Sequence, residues 1–206
     1  MYSTFAIRWL IPRLSLLGEQ HPELQVRLVT SQSDVDFEQD DVDVCVMIGR
    51  RSRANLRYDY LFSSRISPVC SPSLVESRSL NDDPAQLAEM PILQVYPSRR
   101  DWWLWLEANG VEGVDPDAGQ QFDSYDLAMN SAMQGIGVAL GMEPFVNRDL
   151  SAGLLVEPFP DSKTYVPRDW YFVCREEKSE HPDVATFRQW MLEQVAADES
   201  MPAPRT

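Results

Sequence analysis

Basic side chains are scarce in this 206-residue chain: 18 lysines and arginines stand against 32 aspartates and glutamates, a formal net charge of −14. A nucleic-acid duplex is a dense line of negative charge, and direct binding needs a basic face that neutralises phosphates. Arg50-Arg51 with Arg53, and Arg99-Arg100, are short clusters in loop-like sequence and do not make such a face. Direct DNA binding by this chain alone is not expected.

Histidine and cysteine are also sparse. His21 and His181, the two histidines, each precede a proline at an apparent turn boundary. Cys45, Cys70 and Cys174 form an odd, widely spaced set, each within an apolar run. That spacing argues against a disulfide framework or a zinc site, and a free thiol in such a run behaves as a small core residue. No metal and no cofactor are expected. No stretch approaches the ~20 apolar residues that span a bilayer, and Arg8 and Arg13 interrupt the apolar segment near the start. The opening Met1-Tyr2-Ser3-Thr4-Phe5 lacks signal-peptide architecture, so a cytoplasmic location is expected.

Nucleophile signatures are missing as well. There is no G-x-S-x-G elbow, and the histidines in their His-Pro turns do not read as placed bases. Gly135-Ile136-Gly137 follows a helical pattern and opens a strand, the reverse of a dinucleotide fingerprint, and reads as a helix end with a tight turn. The chain is not expected to be an enzyme.

What is present is an alternation of strand and helix patterns in an ordinary globular composition, 44% hydrophobic and 24% charged. Ile7, Leu10, Leu14 and Leu17 share one helical face between Phe5 and Glu19, with Pro12 forcing a short opening turn and a restart. Strands are expected at Gln25 to Thr30, Val42 to Ile48, Ile66 to Cys70, Ile92 to Val95, ending at Phe122, at Val138 to Leu140, Leu154 to Val156 and Trp170 to Cys174. Ser71-Pro72 and Asp83-Pro84 read as capped helix starts, the second leading Ala85 to Met90. Asp101 is expected to cap Trp102 to Asn109, and Asp123-Ser124 a helix to Gln134. Further helices are expected from Pro144 to Leu150 and from Asp183 to about Ala197. The tail from Ser200 to Thr206 reads as a frayed end. The fold class is α/β, with mixed, mostly parallel sheets flanked by helices.

An ordered series of motifs carries a resemblance. It runs from Thr4-Phe5-Ala6-Ile7-Arg8-Trp9-Leu10-Ile11-Pro12-Arg13-Leu14 through His21-Pro22-Glu23-Leu24, Val35-Asp36-Phe37, Asp43-Val44 and Gly49. Pro68-Val69-Cys70-Ser71-Pro72 and the Asp101-Trp102 to Trp105-Leu106 helix follow. Phe122-Asp123-Ser124, Gly135-Ile136-Gly137-Val138-Ala139-Leu140, Asp149-Leu150, Ala152-Gly153, Leu155-Val156 and Pro158-Phe159 complete it. In these motifs the chain resembles the effector-binding half of LysR-type transcription regulators, in the subgroup of the glycine-cleavage activator and the beta-lactamase regulator, over about residues 3 to 195.

The resemblance implies a two-lobed fold similar to type 2 periplasmic binding proteins. Lobe I would hold 1–67 and 168–206, lobe II 68–167, with two crossing strands as hinge and effectors bound in the cleft between lobes. It also implies pairing through effector domains, as a homodimer or heterodimer. The family's N-terminal winged helix-turn-helix and the strand directly before the position of Thr4 are absent from this sequence. The lost strand would leave an unpaired position in lobe I. Met47 stands where close relatives carry arginine, and Arg50 to Leu56 lacks their glycine and tryptophan, so effector identity does not transfer.

Thr4 and Ser124 begin the two helices that the family fold turns toward the cleft. Each is either a plain N-cap or, given the resemblance, a contact for a small, anionic metabolite at free helix N–H groups. Ser3 neighbours Thr4, and Ser31 would line the same cleft from a loop. Asp36 is either a ligand-side acid or one member of a solvated acidic run. Tyr96 and Trp170 offer an aromatic wall or core packing, and Trp102 and Trp105 read as core. The leading expectation is effector sensing in transcription control. The alternatives are a solute-binding module of a transport system, and a partner lacking its own DNA-binding domain that pairs with full-length relatives and blocks them.

Overall fold

A computed structural model describes residues 1–33 and 35–202. In chain order its strands are β1 (Val44–Gly49), β2 (Leu56–Val69), β3 (Ile92–Val95), β4 (Gln120–Phe122), β5 (Val138–Met142) and β6 (Thr164–Arg175). Its α-helices are α1 (Ser3–Phe5), α2 (Leu14–Gln20), α3 (Pro72–Arg78), α4 (Arg100–Ala108), α5 (Tyr125–Met133), α6 (Asn147–Ser151) and α7 (Pro182–Ala197). The chain divides into two compact units: Met1–Ser63 with the segment from Pro167 onward, and Ser64–Val166. β2 and β6 each run from one unit into the other.

In the first unit β6 lies between β1 and β2, and β1 pairs antiparallel with β6 from Val44 opposite Cys174 to Gly49 opposite Asp169. The opening helix differs from its sequence pattern. A π-helical turn, Ala6–Leu10, and a 3-10 turn, Ile11–Arg13, join α1 to α2 without a break. Pro12 has no N–H to give the previous turn, and the widened turn relieves its ring, with Ile11 donating back to Ala6. The extra residue shifts the helix phase. Phe5, Ala6, Trp9, Leu10 and Leu17 are buried, while Ile7, expected on the inner face, is 47% exposed.

Three other expectations change here. Gln25 to Thr30 alternates like a strand but forms none. Leu154 to Val156 contributes a single bridge, Val156 to Cys70, rather than a strand. Ser200 to Pro202 is not frayed: Ser200 donates to Asp198 through both amide and hydroxyl, and Pro202 is buried. Asp198 in turn accepts from Trp9 Nε1 (2.9 Å) and Arg13 (2.7 Å), pinning the chain end to the opening helix. Burial works against the Asp198 charge, but these bonds and the Arg13 cation prevail and hold its carboxyl below the usual range. Ala203 to Thr206 lie outside the described residues.

In the second unit the order is β2-β5-β3-β4, antiparallel between β2 and β5 and parallel through β5, β3 and β4. The sheet is mixed, as the alternating pattern predicts. α5 packs across β5, β3 and β4. Ser71 caps α3, accepting from the Leu74 amide, and Asp83 caps the short helix expected there, which is a 3-10 helix over Pro84–Glu89. Gly135, at φ +75°, ends α5, and a Cβ at Gly137 would lie 2.2 Å from the Pro91 carbonyl oxygen. These glycines close a helix and admit a neighbouring strand, as the sequence reading has it.

All three cysteines are buried and free. Burial pushes the Cys70 thiol up to about 11, and burial with the Asp59 carboxylate also raises Cys174. The native chain is therefore expected to leave both thiols unmodified by a thiol-specific chromogenic reagent at pH 8, and to expose them only in denaturant. Rapid native titration of either would contradict the burial.

Candidate functional site

The second unit places Ser124 and Tyr96 by its parallel strands. Val95 at the end of β3 pairs with Phe122 at the end of β4. Tyr96 follows the first directly, and Ser124 lies two residues beyond the second. Both therefore sit just past the carboxyl ends of adjacent parallel strands, the usual place for ligands on such sheets. Ser124 is buried and caps α5, its Oγ accepting from the Leu127 amide at a long 3.4 Å. Tyr96 is 55% exposed, so it is not a core residue.

Beneath them lies a pair that the sequence did not reveal. Asp101, expected as the N-cap of its helix, falls in the first turn of α4, is buried, and accepts from the Tyr125 hydroxyl. That bond ties the start of α5 to the start of α4. Trp102 and Trp105 are core residues, their indole N–H groups donating to the Leu93 and Ser162 carbonyls at 3.0 and 2.7 Å.

The first unit gathers Ser3, Thr4, Ser31 and Trp170 around the opening turn. The Ser31 amide donates to the Met1 carbonyl, and Gln32 Nε2 donates to Ser3 Oγ at 2.8 Å. Gln32 escaped sequence reasoning, having no cap or periodic position to mark it. Thr4 is buried inside α1 rather than capping it, because the N-cap position falls to Tyr2, which makes no side-chain cap. Ser31 is exposed, and its Oγ accepts from the Ser33 amide at 3.0 Å. Trp170 is buried in a cluster of rings, stacked at 5.7 Å on both Phe5 and Phe62, with Tyr2 edge-on at 5.8 Å.

Asp36 shapes its own turn. Its carboxylate accepts from the Glu38 amide and Gln39 Nε2, each at 3.1 Å, and its amide donates to Asp40 at 2.9 Å. Among the described residues, no cluster of three or more histidine, cysteine, aspartate or glutamate side chains could hold a metal ion. Hydroxyls recur in both groups: Ser3, Thr4 and Ser31 in the first unit, Tyr96 and Ser124 in the second.

The second unit also holds a buried carboxylate, Glu143, which accepts from Arg65 Nε and Lys163 Nζ at 2.7 Å each. Lys163 also reaches Glu157 at 3.2 Å, and Glu157 accepts from Ser67 at 2.5 Å. An acid closing the wholly buried β5 was the available signal for this network.

An α/β chain with a mixed sheet and helix starts at the carboxyl ends of its parallel strands defines a ligand-binding class of domain. The chain belongs to the LysR substrate-binding domain family, whose model matches residues 1–196. It is 34% identical over 197 residues to the glycine cleavage system transcriptional activator of Escherichia coli K12, covering 95% of this chain and 64% of that protein. The chain thus spans just under two thirds of that relative. The AmpR effector binding domain from Citrobacter freundii is similar in structure, with a TM-score of 0.82 at 27% identity and 96% of each chain covered. The CrgA regulatory domain from Neisseria meningitidis shares the fold at a TM-score of 0.83 and 19% identity, covering 94% of this chain and 95% of that one. The fold is the type 2 periplasmic-binding-protein-like fold of LysR effector domains.

Proposed function

We propose that the chain is the effector-sensing and dimer-forming part of a LysR-type regulator of DNA-templated transcription, acting in the cytoplasm. The two units are read as its lobes. The effector is a small anionic metabolite, contacted by Tyr96 and Ser124 of the second unit. DNA contact falls to a winged helix-turn-helix outside these 206 residues, because a net charge of −14 opposes a phosphate backbone. The single supporting observation is the buried Ser124 at the head of α5, beside Tyr96 at the ends of parallel strands. There a helix start presents N–H groups to an anion.

The test is calorimetric titration of a panel of amino acids and small dicarboxylates. One member is expected to bind, and Ser124→Ala is expected to weaken it about tenfold, the worth of one good hydrogen bond to a charged group. The long capping bond limits the stability loss to under about 1 kcal/mol. A clear loss of stability with unchanged affinity would reduce Ser124 to a cap.

A further inference from the structure

Arg50, Arg51 and Arg53 lie on the connection between β1 and β2, and all three are exposed. None of them pairs with an acidic side chain among the described residues. In a chain of net charge −14, acids are plentiful enough to have neutralised them. These cations stand free.

The sheet beside them is only half covered. Alternation along the strands puts Cys45 and Met47 of β1, Tyr171 and Val173 of β6, and Leu56, Tyr58 and Tyr60 of β2 on one face. Phe37 closes one half of that face, packed with Cys45, Leu56 and Val173. Over the other half the cover thins. Met47, Tyr58 and Tyr171 are partly buried there, and Tyr60 is 37% exposed.

Tyr171 is the centre of this row. It meets Tyr58 and Tyr60 at right angles, at 6.0 and 6.1 Å, and the Arg51 guanidinium stands over its ring at 5.8 Å. That cation–π contact orients Arg51 without using its N–H groups, which bond no acceptor among the described residues. Tyrosine, methionine and arginine are the residues that protein interfaces concentrate. A flat sheet face also suits an extended polypeptide better than a small molecule, which is held in concave sites.

The neighbourhood favours a peptide over a nucleic acid. Asp36, Glu38, Asp40 and Asp41 border the row on the turn that carries Phe37. A duplex laid over the arginines would press phosphates against that acidic turn. A short segment can keep its charges at the arginines, with the acids beyond screened by salt.

We propose that the tyrosine row and the 50–53 connection form a docking surface for a segment of another protein, a short run of carboxylates followed by aromatic residues. The carboxylates take the free N–H groups of Arg51 and its neighbours, in the forked pairing that guanidinium favours. The aromatic side chains lie on Tyr58, Tyr60, Tyr171 and Met47. The surface belongs wholly to the first unit.

The test titrates the 206-residue chain into a dye-labelled, amidated Glu-Glu-Glu-Phe-Phe peptide, read by fluorescence anisotropy, with Lys-Lys-Lys-Phe-Phe beside it. The overall charge of the chain favours the lysine peptide, so the opposite preference must come from a local surface. Saturable one-to-one binding is expected for the glutamate peptide, at least about tenfold tighter than for the lysine one. Arg51→Gln combined with Arg53→Gln is expected to weaken it about tenfold. Tyr171→Leu, which removes the ring beneath Arg51, should weaken it about threefold. Arg78→Gln, at an exposed arginine ending α3, should leave affinity unchanged, with melting curves confirming that every variant folds. No saturable binding, a preference for the lysine peptide, or an equal loss in Arg78→Gln overturns the proposal. A DNA duplex that binds the arginines more tightly than the peptide overturns it in favour of nucleic acid. A chain that self-associates until Arg51 and Arg53 are replaced overturns it in favour of a second copy.

Discussion

Trp170→Ala is expected to lower the stability of the chain by about 4 kcal/mol, within the range for emptying a large aromatic site in a packed core. The indole is 3% exposed and touches three rings from the opening turn and β2: Tyr2, Phe5 and Phe62. None of the three can follow a shrinking neighbour easily. Phe5 is committed to α1 and also meets Trp9 at 5.0 Å, while Phe62 is fixed in the middle of β2. A cavity remains, and both the lost transfer energy and the lost dispersion contacts count. Against a net stability of about 5–15 kcal/mol for a typical domain, that is a large fraction. The melting temperature should fall by about 10 °C, following the size scaling of unfolding entropy. Trp170→Phe fills much of the space and should cost less than half as much. A loss below about 1 kcal/mol for the alanine variant would show that the rings do not pack as described, and would return Trp170 to the ligand alone.

What was legible in the sequence was local. Ile92–Val95 was read to its exact ends because Pro91 and Pro97 bracket it, and Ser71 and Ser124 were found as caps because their chemistry acts within three residues. What escaped needed a distant partner. β2 runs from Leu56 to Val69, but the sequence pattern marks it only from Ile66, because Arg57, Asp59 and Arg65 break the apolar run before that point. Their charges are met elsewhere: Arg57 at Glu180, Asp59 at Arg188, Arg65 at Glu143. Gln25 to Thr30 is the converse case, a strand propensity with no strand beside it among the described residues. The π-helical turn escaped because Pro12 signals strain without saying how the helix relieves it. At the candidate site the hydroxyls were readable as residue types at helix starts. Whether Thr4 or Tyr2 holds the cap depends on a shift of two residues, finer than sequence patterns resolve.

Glu143→Gln is expected to cost about 3 kcal/mol, because it removes the negative centre that two cations share. The carboxylate is buried, with side-chain exposure of 6%, and bonds Arg65 and Lys163 at 2.7 Å each. Glutamine keeps the shape but supplies one acceptor oxygen where two were used, and it leaves Glu157 as the one carboxylate at Lys163 among the described residues. Both cations reach water, at 34% and 27% exposure, which keeps the loss toward the lower end for a broken buried pair. The same network predicts a pH signature. Burial works to lower the Lys163 pKa, but hydrogen bonding to Glu143 and the charges of Glu143 and Glu157 outweigh it, so the ammonium is held above its ordinary value. A raised folded-state pKa gives stability that is fully present below the unfolded value, about 10.4 for lysine, and lost as pH rises through the folded value. The wild-type chain should therefore lose part of its stability at alkaline pH. Glu143→Gln removes the strongest source of that shift, so its stability should fall less steeply over the same interval. Denaturation midpoints across pH 8 to 11 decide the matter, and parallel wild-type and variant curves would show that Glu143 fills space without holding the charge of Lys163.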